Sequence, residues 1–260
     1  MTDRGGAGNP WWMAYEYAAM LLGLGLLALL CLLWLPCALI LNPLLPRRLG
    51  QPLGRSMISF GFRFYLRLLS LFCACRFDLT EIDQLRDQGP LIVAANHPSL
   101  LDAVIIVSRL PNAVCVMKAS LMDNLLFGAA ARLACYIRND VGLDMILNSR
   151  EALEQGAHLV IFPEGSRTLN FPVEACSPSV GLIASRSKTP VQTLLIEFST
   201  PYLGKAWPMF RRPALPLRCR IRLGRRFPPP ANLQAFATEL ETYFRAELAP
   251  VSPSTAAFAA

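Results

Sequence analysis

The sequence is poor in residues on which many enzymes and metal proteins depend. Its 260 residues include only two histidines, and 17% are charged, against roughly 25% in an average soluble domain. The eight cysteines form no Cys-x-x-Cys pair and no zinc-type spacing with histidine, which favours free thiols in a reducing compartment. No serine lies in a Gly-x-Ser-x-Gly pattern, which argues against a serine nucleophile of the α/β-hydrolase type. The sequence therefore predicts no metal site.

Charge is also absent from one long run near the amino terminus. The 30 residues between Glu16 and Arg47 carry none, and the apolar segment 18–40 is long enough to cross a bilayer. The segment lacks a basic leader and a small-x-small cleavage site, so it differs from a secretory signal. Aromatic residues of the kind found at membrane interfaces precede it: Trp11, Trp12, Tyr15 and Tyr17.

The charges that follow this run predict its orientation. Arg47, Arg48 and Arg55 come directly after the apolar segment, and basic residues next to a membrane span stay on the cytoplasmic side. The sequence thus predicts an inner (cytoplasmic) membrane protein whose main domain faces the cytoplasm. Pro36 leaves a second interpretation open, in which two shorter pieces enter the membrane and return.

Acidic residues are missing from two basic stretches. Residues 47–76 contain six arginines and no acid, and residues 201–230 contain seven arginines, one lysine and no acid. The net charge is +7. A basic chain with lipid-facing segments predicts an anionic membrane surface as its first partner. No nucleic-acid-binding motif accompanies the charge, so nucleic acid is not expected.

The segment 56–72 predicts a second helix near the membrane. Its polar residues recur three or four positions apart, which is one narrow stripe on a helix, and nearly all others are apolar. We expect this helix to lie in the membrane interface with its arginines among headgroups. The alternative is a core helix of the soluble domain. The stripe consists of Ser56, Ser59, Arg63, Arg67 and Ser70.

From Phe77 onward, strand-like and helix-like patterns alternate. The predicted strands are 91–95, 113–117, 135–138, 159–162, 192–198 and 218–223. The predicted helices are 98–109, 120–133, 142–155, 179–186 and 232–248. This order predicts an α/β fold with a mixed, largely parallel sheet flanked by helices, after an N-terminal membrane-embedded or interfacial helical element. We divide the chain into membrane-anchoring helices (1–76), a main domain (77–248) and a disordered tail (249–260).

One of the two histidines lies at the end of a predicted strand. His97 follows Leu-Ile-Val-Ala-Ala-Asn and precedes Asp102 by five positions. Imidazole can accept and return a proton near neutral pH, and a neighbouring carboxylate can fix its tautomer and stabilise the imidazolium. The pair is therefore a candidate base and orienting group, although a helix-start histidine is more often a cap or a surface residue.

A second polar turn ends the predicted strand 159–162. It reads Pro-Glu-Gly-Ser-Arg-Thr from Pro163 to Thr168. The turn offers a carboxylate, backbone N–H groups near a glycine, and a guanidinium suited to phosphate. An ordinary surface turn with a helix cap is the alternative.

Together the two motifs resemble the glycerolipid (lysophospholipid) acyltransferase family, in particular the 1-acylglycerol-3-phosphate acyltransferases. The resemblance covers roughly residues 91–196. It implies acyl transfer with His97 as base and Asp102 as its orienting group. It requires no cofactor beyond the acyl donor, acyl-coenzyme A or an acidic acyl-carrier protein. By the same resemblance, an acceptor site contains Asn96, Ser99, Glu164, Gly165, Ser166, Arg167 and Thr168, with Arg167 on a phosphate.

The sequence departs from the family pattern at two places. A middle motif usually ends in an arginine that binds the acceptor phosphate, but Asn139 stands there and Arg138 precedes it. Because a strand alternates faces, Arg138 reaches the substrate only if a bulge redirects it. In a later motif Thr193 replaces a proline. Both changes leave the base intact and bear on the acceptor.

The sequence thus predicts a membrane-bound acyltransferase that acylates a hydroxyl of a lysophosphatidate-like lipid in phospholipid biosynthesis. The same chemistry on an amino-acid lipid or a polyene secondary-metabolite lipid is the alternative. A non-catalytic membrane scaffold is a more remote one.

Overall fold

The structure is a computed structural model that describes residues 9–140, 142–208 and 210–249. Except for Ala249, the predicted tail lies outside the described residues. The first element is a single long helix, α1 (Pro10–Leu44). It begins where the Asn9 side chain accepts a hydrogen bond from the Trp11 backbone N–H at 3.0 Å, and Pro10 occupies the first turn, where its missing N–H is harmless. The helix continues through Pro36, so the single-segment interpretation holds over the alternative of two shorter pieces.

Helix α1 is the one helix of the described residues that is long and apolar enough to cross a membrane. It does not project from the domain. Near its start, a Cβ at Gly23 would lie 3.1 Å from Leu69. Near its end, Ala38 is buried against Ala129 and Leu133. The helix therefore lies along the domain and presents its other side, rich in exposed leucines, away from the protein.

Helix α2 (Arg47–Phe72) packs on the core more closely than the interfacial interpretation predicted. Ser59 and Arg63 both donate to the backbone oxygen of Ser108, at 3.2 and 3.3 Å. Tyr65 and Leu66 are buried. The polar stripe is therefore partly a contact with the domain, and the core-helix alternative is correct for this face. The opposite face still exposes large apolar side chains: Leu53, Phe60, Phe64 and Leu71.

A seven-stranded sheet follows, in the order β1-β7-β6-β2-β5-β3-β4. The strands are β1 (Cys75–Asp78), β2 (Ile92–Ala95), β3 (Ala113–Met117), β4 (Ile137–Arg138), β5 (His158–Ile161), β6 (Val191–Phe198) and β7 (Leu217–Phe227). Strands β2 to β6 are mutually parallel, while β7 pairs with β6 in antiparallel fashion and with β1 in parallel. The predicted mixed, largely parallel α/β sheet is confirmed, with the unpredicted β1 as its edge strand.

The remaining helices are α3 (Leu101–Arg109), α4 (Ala119–Asp123), α5 (Leu125–Leu133), α6 (Gly142–Glu154), α7 (Ser179–Ser187) and α8 (Leu233–Glu247). Two of the predicted helices differ from the structure. Helix α3 starts at Leu101 rather than Pro98, because the intervening residues form the turn that carries His97. The predicted helix 120–133 is two helices, since the Asn124 side chain caps α5 by accepting from Leu126 and Phe127 N–H groups.

The sheet has a core on each face, as the alternation of side chains along a strand requires. In β2, Val93 and Ala95 face a core shared with α1, α2 and α3, whereas Ile92 and Ala94 face one shared with α7 and α8. Because β2 to β6 are parallel, their carboxyl ends meet at one edge of the sheet. This is the edge where ligands bind in many open α/β sheets.

Candidate active site

The two polar motifs meet at the carboxyl edge of neighbouring strands. Strand β2 ends just before Asn96 and His97, and its partner β5 ends just before Phe162 and the turn that contains Glu164. A direct backbone bond joins them, because the Thr168 N–H donates to the His97 backbone oxygen at 2.8 Å. The sheet thus brings together residues that lie about 70 positions apart in the sequence.

His97 and Asp102 form the predicted pair. Nδ1 of His97 lies 2.8 Å from Oδ2 of Asp102. The imidazole is 16% exposed and the carboxylate fully buried. The same Oδ2 accepts from the Ser99 backbone N–H at 2.8 Å. With the proton on Nδ1, the ring keeps Nε2 as the atom that can accept a proton, which is the arrangement a general base needs.

Burial changes the acidity of Asp102. Removal from water raises the pKa of its carboxyl to about 6, against the opposing effects of the His97 contact and the Ser99 N–H. Oδ1 of Asp102 has no hydrogen-bond partner among the described residues. The charge of this carboxylate is therefore stabilised mainly through Oδ2, and its natural partner is an imidazolium on His97.

Glu164 connects the base to the second turn. Its Oε1 accepts from the backbone N–H of His97 at 2.8 Å and from Oγ1 of Thr168 at 2.9 Å. Its Oε2 accepts from the Glu174 backbone N–H at 2.9 Å. Gly165 has a φ of +67°, a conformation that favours glycine, and its N–H closes a turn onto Phe162. Glu164 therefore holds three segments together rather than standing free for a substrate.

Two residues predicted to bind substrate are structural in this geometry. The Asn96 side chain is fully buried, accepts from the Ile196 N–H at 2.8 Å and donates to the Ile196 oxygen at 2.9 Å. Ser99 is buried, and its Oγ accepts from the Leu101 N–H at 3.2 Å. Because their polar groups have backbone partners, both residues position the turn that carries His97.

The polar side chains of the second turn contact the loop that follows β6. Nη1 of Arg167 donates to the backbone oxygens of Leu203 and Gly204, each at 2.9 Å. Lys205 donates through Nζ to Oγ of Ser166 at 3.1 Å. Nε and Nη2 of Arg167 make no hydrogen bond to the described part of the chain. The turn therefore presents two cations, and Arg167 also anchors the loop.

Arg138 is not placed for phosphate binding. It forms ion pairs with Asp123 at 2.5 Å and Asp140 at 2.8 Å, and hydrogen bonds to Asp140 and then Asp123 raise the pKa of its guanidinium. Two carboxylates cancel its charge, so the prediction that Arg138 binds substrate is not supported by the geometry. Asn139, the residue in the expected arginine position, accepts through Oδ1 from the Ala119 N–H at 3.2 Å and thus fixes the start of α4.

No three His, Cys, Asp or Glu side chains within the described ranges are grouped as a metal site would require. The geometry instead provides a base, a buried orienting carboxylate and nearby cations. A family model described as Acyltransferase matches residues 76–197, the segment that contains all of these groups except Lys205. This segment, somewhat less than half of the chain, resembles the acyltransferase family.

Two curated acyltransferases resemble part of the chain. It is 28% identical over 137 residues to the "Probable 1-acyl-sn-glycerol-3-phosphate acyltransferase" of Mycoplasma genitalium, covering 49% of this chain and 50% of that protein. It is 32% identical over 105 residues to the "1-acyl-sn-glycerol-3-phosphate acyltransferase" of Helicobacter pylori, covering 36% and 44%. The chain thus spans about half the length of the curated relatives it matches.

A solved acyltransferase shares the fold. The crystal structure of the 1-acyl-sn-glycerophosphate (LPA) acyltransferase, PlsC, from Thermotoga maritima matches with a TM-score of 0.65. The match covers 90% of this chain and 96% of that chain at 15% identity. This likeness shows the fold.

Two side chains of the candidate active site were not predicted from the sequence. The Phe162 ring stacks on the His97 imidazole with a centroid distance of 3.8 Å and an interplanar angle of 14°. It holds the ring plane while Asp102 holds one edge. Lys205 adds a cation beside Ser166. The sequence placed Phe162 at the end of a predicted strand but did not show that this strand lies beside the one that carries His97, and nothing local marked Lys205.

Proposed function

We propose that this chain transfers a fatty acyl group from acyl-coenzyme A or acyl-carrier protein to a hydroxyl of a lysophosphatidate-like lipid. The observation that carries the proposal is the buried Asp102 paired with His97, tied through Glu164 to a cationic turn. The names of the curated relatives support a 1-acylglycerol-3-phosphate acceptor.

In the proposed reaction, Nε2 of His97 removes the proton of the acceptor hydroxyl as its oxygen attacks the thioester carbonyl. The new C–O bond forms a tetrahedral intermediate, and collapse breaks the C–S bond. The departing thiolate takes the proton from the imidazolium, so the base is restored. Asp102 stabilises that imidazolium while the proton resides on it.

In this proposal the acceptor phosphate binds at the second turn. Lys205 is exposed beside Ser166, and Arg167 retains Nε and Nη2 as donors. Arg167 on this turn and Lys205 from the adjacent loop match a phosphate better than Arg138, whose charge is already paired. Ser166 and Thr168 supply hydroxyls to the same turn.

We also propose that the protein resides at the inner (cytoplasmic) membrane with the acyltransferase domain facing the cytoplasm. The exposed leucines of α1 and the exposed phenylalanines of α2 support an apolar contact with lipid. Arg47, Arg48 and Arg67 are exposed near this surface, and such cations favour anionic headgroups. An acidic acyl-carrier protein or coenzyme A phosphates would meet the same positive field.

A different acceptor, such as an amino-acid lipid or a polyene lipid, is the second candidate. The observation that favours it is Asn139, which stands in place of a phosphate-binding arginine and instead caps α4. The intact pair of His97 and Asp102 counts against a non-catalytic scaffold.

The test is acyl transfer by the purified full chain, followed by mass spectrometry of the lipid product. Acyl-coenzyme A and acyl-carrier protein are offered separately, each with lysophosphatidate and with a phosphate-free lipid alcohol. The expected product is phosphatidate, lost in His97→Ala. The matched control is His158→Gln, because the chain's other histidine is buried at the start of β5, on the opposite edge of the sheet. Acylation of only the phosphate-free acceptor would favour the second candidate, and unchanged turnover in His97→Ala would refute the mechanism.

A further inference from the structure

A polar cavity lies away from the active site. It has a volume of about 400 Å³ and is bordered by the α1–α2 connection, α5 and α6, a size typical of small-molecule sites. Arg55 marks its position, because it contacts Asn112 and Ala134, which precede β3 and β4. The cavity therefore borders the amino edge of the sheet, opposite the edge that carries His97.

Arg55 is a buried cation without an anionic partner. Its residue is 5% exposed. Nε donates to the Ala134 oxygen at 3.1 Å and Nη1 to Oδ1 of Asn112 at 2.9 Å, and both acceptors are neutral. Desolvation lowers the pKa of the guanidinium, and no carboxylate opposes this effect. A buried charge is costly unless it is paired, so an anion in the cavity would stabilise the protein.

The other charged residues of the lining are mainly basic. Arg47 and Arg132 also line the cavity, and among its described lining residues Glu151 is the only acid. None of the three arginines forms an ion pair within the described part of the chain. The hydroxyl of Tyr136, another lining residue, is buried and has no hydrogen-bond partner among the described residues.

The mouth of the cavity adjoins the apolar surface of the first two helices. Leu45 and Gly50 line it, and Leu44, Leu49 and Leu53 beside them are exposed. A ligand with a charged end and an apolar end would match both surfaces. We propose that this cavity binds a phosphate group, carried by the headgroup of an acidic lipid or present as free phosphate, on Arg47, Arg55 and Arg132.

The experiment measures binding to the full-length protein in an uncharged detergent by isothermal titration calorimetry. The probes are dioctanoyl phosphatidylglycerol, which is neither substrate nor product of the proposed reaction, inorganic phosphate, and dioctanoylglycerol, which has the tails without the phosphate. The variant is Arg47→Gln, chosen because Arg47 is exposed and its side chain makes no hydrogen bond or ion pair with the part of the chain that the structure describes. Its control is Arg48→Gln, which removes the same charge from the next position of α2 without touching the cavity.

We expect a phosphate-bearing probe to bind with one site per chain, and Arg47→Gln to weaken it at least about fivefold. Arg48→Gln should change the affinity by less than about twofold. If phosphatidylglycerol binds more tightly than inorganic phosphate, the ligand is a lipid headgroup. If the two probes bind with equal affinity, the ligand is free phosphate. The proposal is overturned if neither phosphate probe saturates, if dioctanoylglycerol binds as well as phosphatidylglycerol, or if both arginine variants lose the same affinity.

Discussion

Replacement of Asp102 by asparagine separates the shape of the catalytic pair from its charge. The asparagine oxygen can take the place of Oδ2 and accept from both Nδ1 of His97 and the Ser99 N–H, which now lie 2.8 Å away. The new NH₂ group then occupies the place of Oδ1, which is buried and without a partner among the described residues. The geometry is retained, while the negative charge opposite the imidazolium is lost.

The expected loss of kcat is about 10²–10⁴-fold, the range that a positioned general base contributes; an Asp-to-Asn change in the serine protease triad reaches about the upper limit. This corresponds to roughly 2.7–5.4 kcal/mol of transition-state stabilisation. Two parts contribute to it. One charge-assisted hydrogen bond is weakened in a fully desolvated setting. In addition, an asparagine turned the other way presents N–H to Nδ1 and forces the proton onto Nε2, where it blocks the base.

The assay is release of free coenzyme A from the acyl donor with lysophosphatidate as acceptor, at saturating concentrations of both. Ser99→Ala is the control, because it removes the Oγ that caps Leu101 but keeps the backbone N–H that donates to Asp102. We expect that control to stay within about threefold of the wild-type rate. If Asp102→Asn folds normally and turns over at a near-wild-type rate, the pair does not act as a base and its orienting group.

Three further predictions concern pH, packing and the acceptor. Since burial raises the pKa of Asp102 to about 6, kcat should fall as the pH drops through that value and the carboxyl becomes neutral; a flat profile down to pH 5, about one unit lower, would contradict it. Gly54→Ala should lower the free energy of unfolding by about 1–3 kcal/mol in denaturant melts, because its Cβ would lie 2.8 Å from the Ala134 backbone N, whereas Gly61→Ala on the same helix meets nothing within 4 Å and should not destabilise. Arg138→Gln should change kcat/KM for lysophosphatidate by less than about threefold, since its ion pairs are exposed and already satisfied; a KM rise of about tenfold would place it on the substrate.

Local patterns in the sequence were enough to predict the sheet and the base. Strand β3 was predicted with its observed bounds, because a short apolar run between turn residues has few alternatives. The pairing of His97 with Asp102 also followed from spacing, since His97 lies in the turn after β2 and Asp102 lies in the first turn of α3. The start of α3 was predicted three residues too early, because the side chain of Asp102 holds the preceding turn open.

Contacts between distant segments could not be read from the sequence. Phe162 stacks on His97 only because β2 and β5 are neighbours. Neither the His97 motif nor the Glu164 motif indicates the order of the strands in the sheet. Lys205 reaches Ser166 from a loop 39 positions away. The orientation of Arg138 depends on Asp123 at the end of α4 and on Asp140 after β4, two acids in separate segments. Periodicity gave the polar stripe of α2 correctly, but it could not say whether lipid or the domain would meet Ser59.

Glu164 has a practical consequence for anyone who wishes to change the lipid acceptor of the proposed reaction. Its two oxygens already receive donors from three segments, at His97, Thr168 and Glu174, so any replacement there will disturb the base along with the acceptor turn. Sites for a mutagenesis library are better chosen at Ser166 and Lys205, whose side chains contact each other at the exposed tip of the turn. Diversity introduced at those two positions can alter selectivity while the proton-transfer machinery remains as it was.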